Sequence, residues 1–238
     1  MQRYFAKAKE ENTLILSIND LHHIKNVMRN KIGDNIEVIF NECLYICQIE
    51  SLDNTKVKII KEKKENNELN IDITIAIALV KEQKMDLILQ KLTELGVNTI
   101  IPLKMERSIV KLDSKKQAKK QERWTAICKE ASEQSKRNKI PTVTEIKSIR
   151  ELCNYSFDKK FICSTTEKEN LLPRLLNNVK KKEKILFVIG PEGGISPKEE
   201  QFLIDKDMIP VSLGNRIMRI ETAAIYIASI INYYSLEW

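Results

Sequence analysis

The sequence predicts an α/β fold: a parallel sheet with helices over residues 70–238, preceded by a small β-barrel-like domain over residues 1–69. Three observations predict it. From Ile71 onward, apolar strand-type runs alternate with helix-type runs, the rhythm of a parallel sheet. Before that point, short β-rich runs follow one another with a single short helix among them. Between the two patterns lies a polar run, Lys61 to Asn70, which reads as a linker. With 238 residues, 42% of them apolar, the chain can bury one small core and one larger one.

The elements follow in order. LILSI is a strand, and NDLHHIKNVMRN is a short helix with Asn19 or Asp20 as its N-cap. Gly33-Asp34 makes a turn, and EVIF, LYICQIES and KVKIIKE are strands. IDITIAIALV is a strand, MDLILQKLTELG a helix capped by Gly96, and NTIIPL a strand. Residues 114–137 form a long amphipathic helix with Trp124, Ile127, Cys128 and Ala131 on its inner face. That spacing favours core or subunit interface for Trp124 over base stacking. FICST is a strand, LLPRLLNNVKKK a helix, KILFVIG a buried strand and SPKEEQFLIDKD a helix. IPVSLG is the last strand and ETAAIYIASIINYYSL the last helix.

The net charge of +7 is unevenly spread. Residues 1–69 hold eleven Lys/Arg and eleven Asp/Glu, whereas residues 111–139 hold ten Lys/Arg against four acids. Such a concentration suits a polyanion contact, and equally a solvated helix face. The candidate RNA contacts there are Lys115, Lys116, Lys119, Lys120, Arg123 and Arg137, with Arg3 and Arg29 earlier in the chain. His22 and His23 have either a phosphate or a packing role. The five cysteines include no CxxC pair, and the two histidines are adjacent, so no metal site is expected. Reduced thiols, the lack of a signal-like N-terminus and apolar runs too short to span a bilayer predict a cytoplasmic location without membrane contact.

Glycine placement points to a site. Of six glycines, Gly33 and Gly96 have turn and cap roles. Gly190, Gly193, Gly194 and Gly214 fall in two loops, IGPEGGIS and LGNRIMRIET, each between an apolar strand and a helix. Ligands of open α/β sheets sit at the carboxyl ends of strands. Glycine there permits positive φ or close backbone approach, and a side chain at Gly193 is expected to block a ligand or strain the backbone. Ser196, Pro197 and Glu199 read as a capping box with proline at N1. Two ordinary strand-to-helix turns are the plainer alternative. The loops contain neither a GxGxxG followed by an acid nor a GxxxxGK[ST]. Their cations, Arg216 and Arg219, are opposed by Glu192 and Glu221, so a ligand with adenosine but no phosphates fits better. S-adenosylmethionine is such a ligand.

At these residues the sequence resembles a known family. VIGPEGGISPKEE and SLGNRIMRIETAA look like the two signature motifs of the RsmE family, with Met218 where leucine is commoner. KLTELGV with IIPLKMERS, ERWTAICKEASEQSKRNKIP, and HHIKNVMR near the start resemble further family motifs in order. The resemblance implies a PUA-like RNA-binding domain, then a SPOUT domain whose deep trefoil knot holds S-adenosylmethionine. It also implies a homodimer that methylates N3 of a uridine in the decoding region of 16S rRNA in the small ribosomal subunit. The candidate cofactor residues are Thr165, then Ile189, Gly190, Glu192, Gly193 and Gly194 in the first loop. Leu213, Gly214, Ile217, Met218, Thr222 and Ala223 are those of the second loop and the helix after it. Glu130, Gln134 and Arg137 share a helix face that the resemblance puts near the active site, an intrahelical pairing being the alternative.

Uridine N3 must lose its proton before it can attack, and Arg219 is the candidate cation to stabilise the resulting anion. Glu221, the rival as general base, is expected to orient Arg219 or cap the last helix, because the positive helix end favours its ionised form. Competing functions are a non-catalytic RNA-binding or ribosome-assembly protein, which would have no use for intact glycine loops, and a SPOUT enzyme acting on tRNA, which the N-terminal resemblance disfavours.

Overall fold

The computed structural model describes residues 1–110 and 114–236, with the backbone alone at 114–116. Its contacts divide the chain into two compact units. The first joins Met1–Glu68 to Lys129–Lys139, and the second comprises Leu69–Cys128 and Ile140–Trp238. The sequence did not mark residues 129–139 as belonging with the first 68.

In the first unit, β1 (Arg3–Phe5), β2 (Ala8–Glu10), β3 (Thr13–Ile15), β4 (Asn35–Phe40), β5 (Cys43–Gln48) and β6 (Lys56–Lys63) form one sheet in the order β1-β4-β5-β6-β3-β2. The sheet rolls up. The Ala6 amide donates to Ile39 O of β4 and the next amide, Lys7, to Ile15 O of β3, so the two ends of the strand order meet. Asn41 and Glu42, both at positive φ (47° and 64°), turn β4 into β5, the tight connection whose twist matches its strands. Tyr4, Leu14, Ile24, Ile36, Val38 and Cys47 fill the interior. Helix α1 (Ile18–His22) is capped by Ser17, not by Asn19 or Asp20: Ser17 Oγ accepts the Asp20 amide, and Asp20 closes the box by accepting the Ser17 amide. The chain continues as a π-helical turn, His23–Val27.

Two candidate RNA contacts are corrected here. Arg3 is fully buried; its Nε donates to Glu37 at 3.0 Å and its Nη2 to Glu65 at 2.9 Å. The Arg137 side chain is 3% exposed and pairs with Glu68 at 2.5 Å. Both are structural ions held by carboxylates, and removing one partner of such a pair costs about 3–5 kcal/mol by stranding the other. The pairing of Arg137 also removes it from the proposed active-site face, on which Glu130 and Gln134 remain exposed.

Lys129 Nζ reaches both Asp20 and Glu133 at 2.5 Å. Burial pushes the Glu133 carboxyl up to about 7, against the pull of Lys129. Between the ordinary value of 4.5 and about 7, the folded state therefore binds more protons than the unfolded one, and stability falls as pH rises through that window. Denaturant melts of Glu133→Gln at pH 5 and pH 7.5 should show a flatter decline than the parent; an unchanged slope would remove Glu133 as its source.

In the second unit, β7 (Asp72–Ala78), β8 (Thr99–Lys104), β9 (Thr142–Val143), β10 (Lys147–Ser148), β11 (Lys159–Cys163), β12 (Lys184–Ile189) and β13 (Ile209–Val211) pair in parallel. The order is β10-β8-β7-β12-β11-β13, with β9 also on β8. β7 and β12 are central, in register from Lys184↔Asp72 to Ile189↔Ile77, and covered on both faces, which explains their unbroken apolar runs. The helices are α2 (Glu82–Glu94), α3 (Ser114–Gln134, of which residues 129–134 belong to the first unit), α4 (Ile149–Leu152), α5 (Leu172–Leu176), α6 (Pro197–Ile204) and α7 (Ile220–Ser235). Trp124 and Cys128 of α3 are buried in this core, the interior reading of Trp124. Gly96 follows α2 at φ 89°, and a Cβ there would lie 2.7 Å from Leu69 Cγ, so packing as well as conformation requires glycine. Among the described residues, no helix is long and apolar enough to cross a membrane.

Candidate active site

Three loops leave the carboxyl ends of β11, β12 and β13, where an open parallel sheet presents its ligand site. The loop after β12 is a rigid turn. The Gly194 amide donates to Pro191 O at 2.8 Å, with Gly194 at φ 74°. Ile195 folds back over Gly190, so that a Cβ on Gly190 would sit 2.5 Å from Ile195 Cγ1 and 3.2 Å from its amide nitrogen. Ser196 caps α6 with the expected box through Glu199. The segment after β8 clamps this loop: Arg107 Nη1 donates to Gly193 O at 3.0 Å, and Ser196 Oγ donates to Glu106 at 2.7 Å.

At Gly193 backbone strain, one of the two expected effects of a side chain, is absent. Its φ is outside the left-handed region, and a Cβ there would meet Arg107 Cβ at 3.4 Å, an ordinary contact. Conformational need falls on Gly194 and on Gly214 (φ 109°), and steric need on Gly190.

The loop after β13 begins at buried Ser212, whose amide donates to Asn170 O and whose carbonyl accepts from Leu172. This ties it to the loop after β11, where Thr165 is exposed. Gly214 has no atom within 4 Å of its notional Cβ, so open space lies beside the loop. Leu213 and Met218 pack partly on the core, Ala223 is buried, and Thr222 is exposed. Ile217 stands out at 87% exposure.

Arg219 is exposed at the N-cap of α7 and makes no ion pair among the described residues. The expectation that Glu221 orients it is therefore corrected. The cation beside Glu221 is Lys84, in the first turn of α2, with Nζ 3.5 Å from Oε2. That oxygen is buried and accepts no directed hydrogen bond. The Lys84 ammonium also donates to Glu192 Oε1, which holds the Glu192 carboxyl below the usual range and the Lys84 ammonium above its own. Lys84 and Arg107 were missed from sequence. The available signals were a lysine at a helix start, where the dipole disfavours a cation, and an arginine just beyond a strand's carboxyl end.

A cleft of about 620 Å³ opens nearby, between Ser164–Glu169 and the Pro197–Ile204 face of α6. Of the candidate cofactor residues, none lines it. The basic stretch of α3 is also less available than its charge suggests. Lys120 pairs with Glu82 at 3.1 Å, and half-exposed Arg123 pairs with Asp86 at 2.6 Å. Lys119 and Arg29 are exposed, while the side chains of Lys115 and Lys116 lie outside the described residues.

Residues 67–232 match the family model described as an RNA methyltransferase domain, and residues 19–62 match that of an RNA methyltransferase PUA domain. A Bacillus subtilis protein named ribosomal RNA small subunit methyltransferase E is 39% identical, over 98% of this chain and 96% of that one. The chain belongs to the small subunit methyltransferase E family. A Mesomycoplasma hyopneumoniae member of the same name is 33% identical over 95% and 97% of the two chains. The crystal structure of the Neisseria gonorrhoeae family member, bound to S-adenosylmethionine, superposes with a TM-score of 0.86 at 29% identity, covering 98% of each chain.

Proposed function

We propose that this protein is an S-adenosylmethionine-dependent methyltransferase that methylates N3 of a uridine in 16S rRNA, acting in the cytoplasm on the small ribosomal subunit. The observation that carries this reading is the joining of both glycine loops at the sheet's carboxyl end, with an uncommitted arginine beside them. The residues suit a cofactor with adenosine and no phosphates. Lys84 and Arg107 are already engaged with Glu192 and Gly193 O, which leaves few cations for a polyphosphate, and the space beside Gly214 is open.

Backbone groups of Ile189–Gly194 and Leu213–Met218 would hold the cofactor, with Thr165, Thr222 and Ala223 at the margins. When bound, S-adenosylmethionine supplies an electrophilic methyl group. Arg219 faces the uracil and stabilises the negative charge that spreads over its carbonyl oxygens once N3 is deprotonated. Glu221 is held by Lys84 at 3.5 Å, so in this reading the N3 proton passes to solvent and not to that carboxylate. The reading includes a deep trefoil knot in the methyltransferase domain, on the strength of the family relation. Exposed Ile217, Tyr233 and Leu236 offer apolar surface to a second copy in a homodimer.

Mass spectrometry of small-subunit rRNA from a deletion strain tests the assignment. One N3-methyluridine should disappear and return with the restored gene. An intact rRNA modification pattern with a missing tRNA methyl group would redirect the enzyme to tRNA.

A further inference from the structure

Lys84 is an unusual residue for its place. It lies in the first turn of α2, where the helix dipole disfavours a cation, and α2 starts at Lys81 without a side-chain cap. Two carboxylates offset that cost. Glu192 comes from the tip of the loop after β12, and Glu221 from the first turn of α7, directly after the loop that follows β13. One ammonium thus touches both segments that would enclose the cofactor. The contacts differ in kind. The Glu192 side chain is 47% exposed, so its pair with Lys84 is a surface pair of small worth. The Glu221 side chain is 14% exposed, and its buried Oε2 has no other cation within ion-pair distance among the described residues.

We propose that Lys84 is a positioning residue for methyl transfer: its ammonium latches the Gly190–Ser196 loop to the start of α7 and holds the Glu221 carboxylate in place between them. The inference rests on the reading that the cofactor binds between these loops. In this role Lys84 acts through the two carboxylates and not on the reacting atoms. It sets the spacing of the loops and supplies the charge that keeps a half-buried carboxylate from standing alone.

The test is calorimetry of S-adenosylhomocysteine binding, with melting temperature followed in parallel. Lys84→Met should weaken binding about tenfold, whereas Glu192→Gln should weaken it only about two- to threefold, because only the exposed pair is lost. Lys84→Arg, which keeps the charge, should stay within about twofold of the parent. In a Glu192→Gln/Glu221→Gln background, Lys84→Met should add nearly nothing, because the latch has no carboxylates left to join. If Lys84→Met folds poorly, the Glu192→Gln, Glu221→Gln and Lys84→Arg arms decide alone: strict additivity of the two carboxylate changes, or a loss of about tenfold in well-folded Lys84→Arg, overturns the latch. Full affinity in well-folded Lys84→Met also overturns it while leaving the methyltransferase reading intact. A parent protein that binds no S-adenosylhomocysteine overturns both.

Discussion

Arg219→Ala should lose about 10²–10³ in methyl transfer at neutral pH while keeping its cofactor affinity, the usual scale for removing one fixed donor to a developing anion. The reasoning starts from what Arg219 does not do. It is exposed, sits at the N-cap of α7 without a side-chain cap bond, and forms no ion pair among the described residues. Its side chain therefore has no structural task that alanine would disrupt, and the fold should survive. The loss should appear in kcat and in kcat/KM alike, the signature of an interaction made in the transition state. Raising the pH should recover part of the rate, because solvent hydroxide then supplies the uracil anion that the variant no longer stabilises. Near-normal turnover at pH 7 would end the assignment, and loss of cofactor affinity together with activity would make Arg219 a loop residue instead.

Gly190→Val should reduce cofactor affinity by about 100-fold, or ~2.8 kcal/mol, measured by calorimetry with S-adenosylmethionine. The Cβ alone would lie 2.5 Å from Ile195 Cγ1 and 3.2 Å from the Ile195 backbone nitrogen. The side-chain clash could be relieved by a rotamer, but the backbone contact requires the loop itself to move. That loop is pinned by Ser196 on Glu106 and by Arg107 on Gly193 O, so displacement at Gly190 spreads through the whole turn. Gly193→Ala is the control. Its Cβ would make an ordinary contact with Arg107, and affinity should change less than about fivefold. The reverse ranking would place the ligand against Gly193 and away from Gly190.

What the sequence made legible follows the range of the interactions. Local rules found the capping box of Ser196, the αL glycine after α2 and the alternating strands and helices, since each is written within a few residues. Local rules also placed the cap of α1 too late, because Asn19 and Asp20 are as plausible in composition as Ser17 and only geometry separates them. Charge was read least well. Arg3 and Arg137 look like any surface arginine until Glu37, Glu65 and Glu68 arrive from elsewhere in the chain. Lys84 and Glu192 are 108 residues apart, and no spacing rule joins them. The two glycine loops were found because the chain has so few glycines; which glycine answers to space and which to φ needed coordinates.

The segment Lys129–Lys139 has a consequence for synthesis on the ribosome. The first compact unit is not complete in the first 68 residues. Asn138 donates to the carbonyls of Glu42 and Glu65, Arg137 neutralises Glu68, and Lys129 neutralises Asp20. A nascent chain that has reached Glu68 can pair its strands but still carries these groups unanswered. These contacts must wait until residue 139 has been made, roughly 4–14 s later at ordinary elongation rates. The N-terminal unit therefore matures only while the catalytic sheet is already being made, with β7 and β8 synthesised before the strand-rich unit ahead of them can be finished.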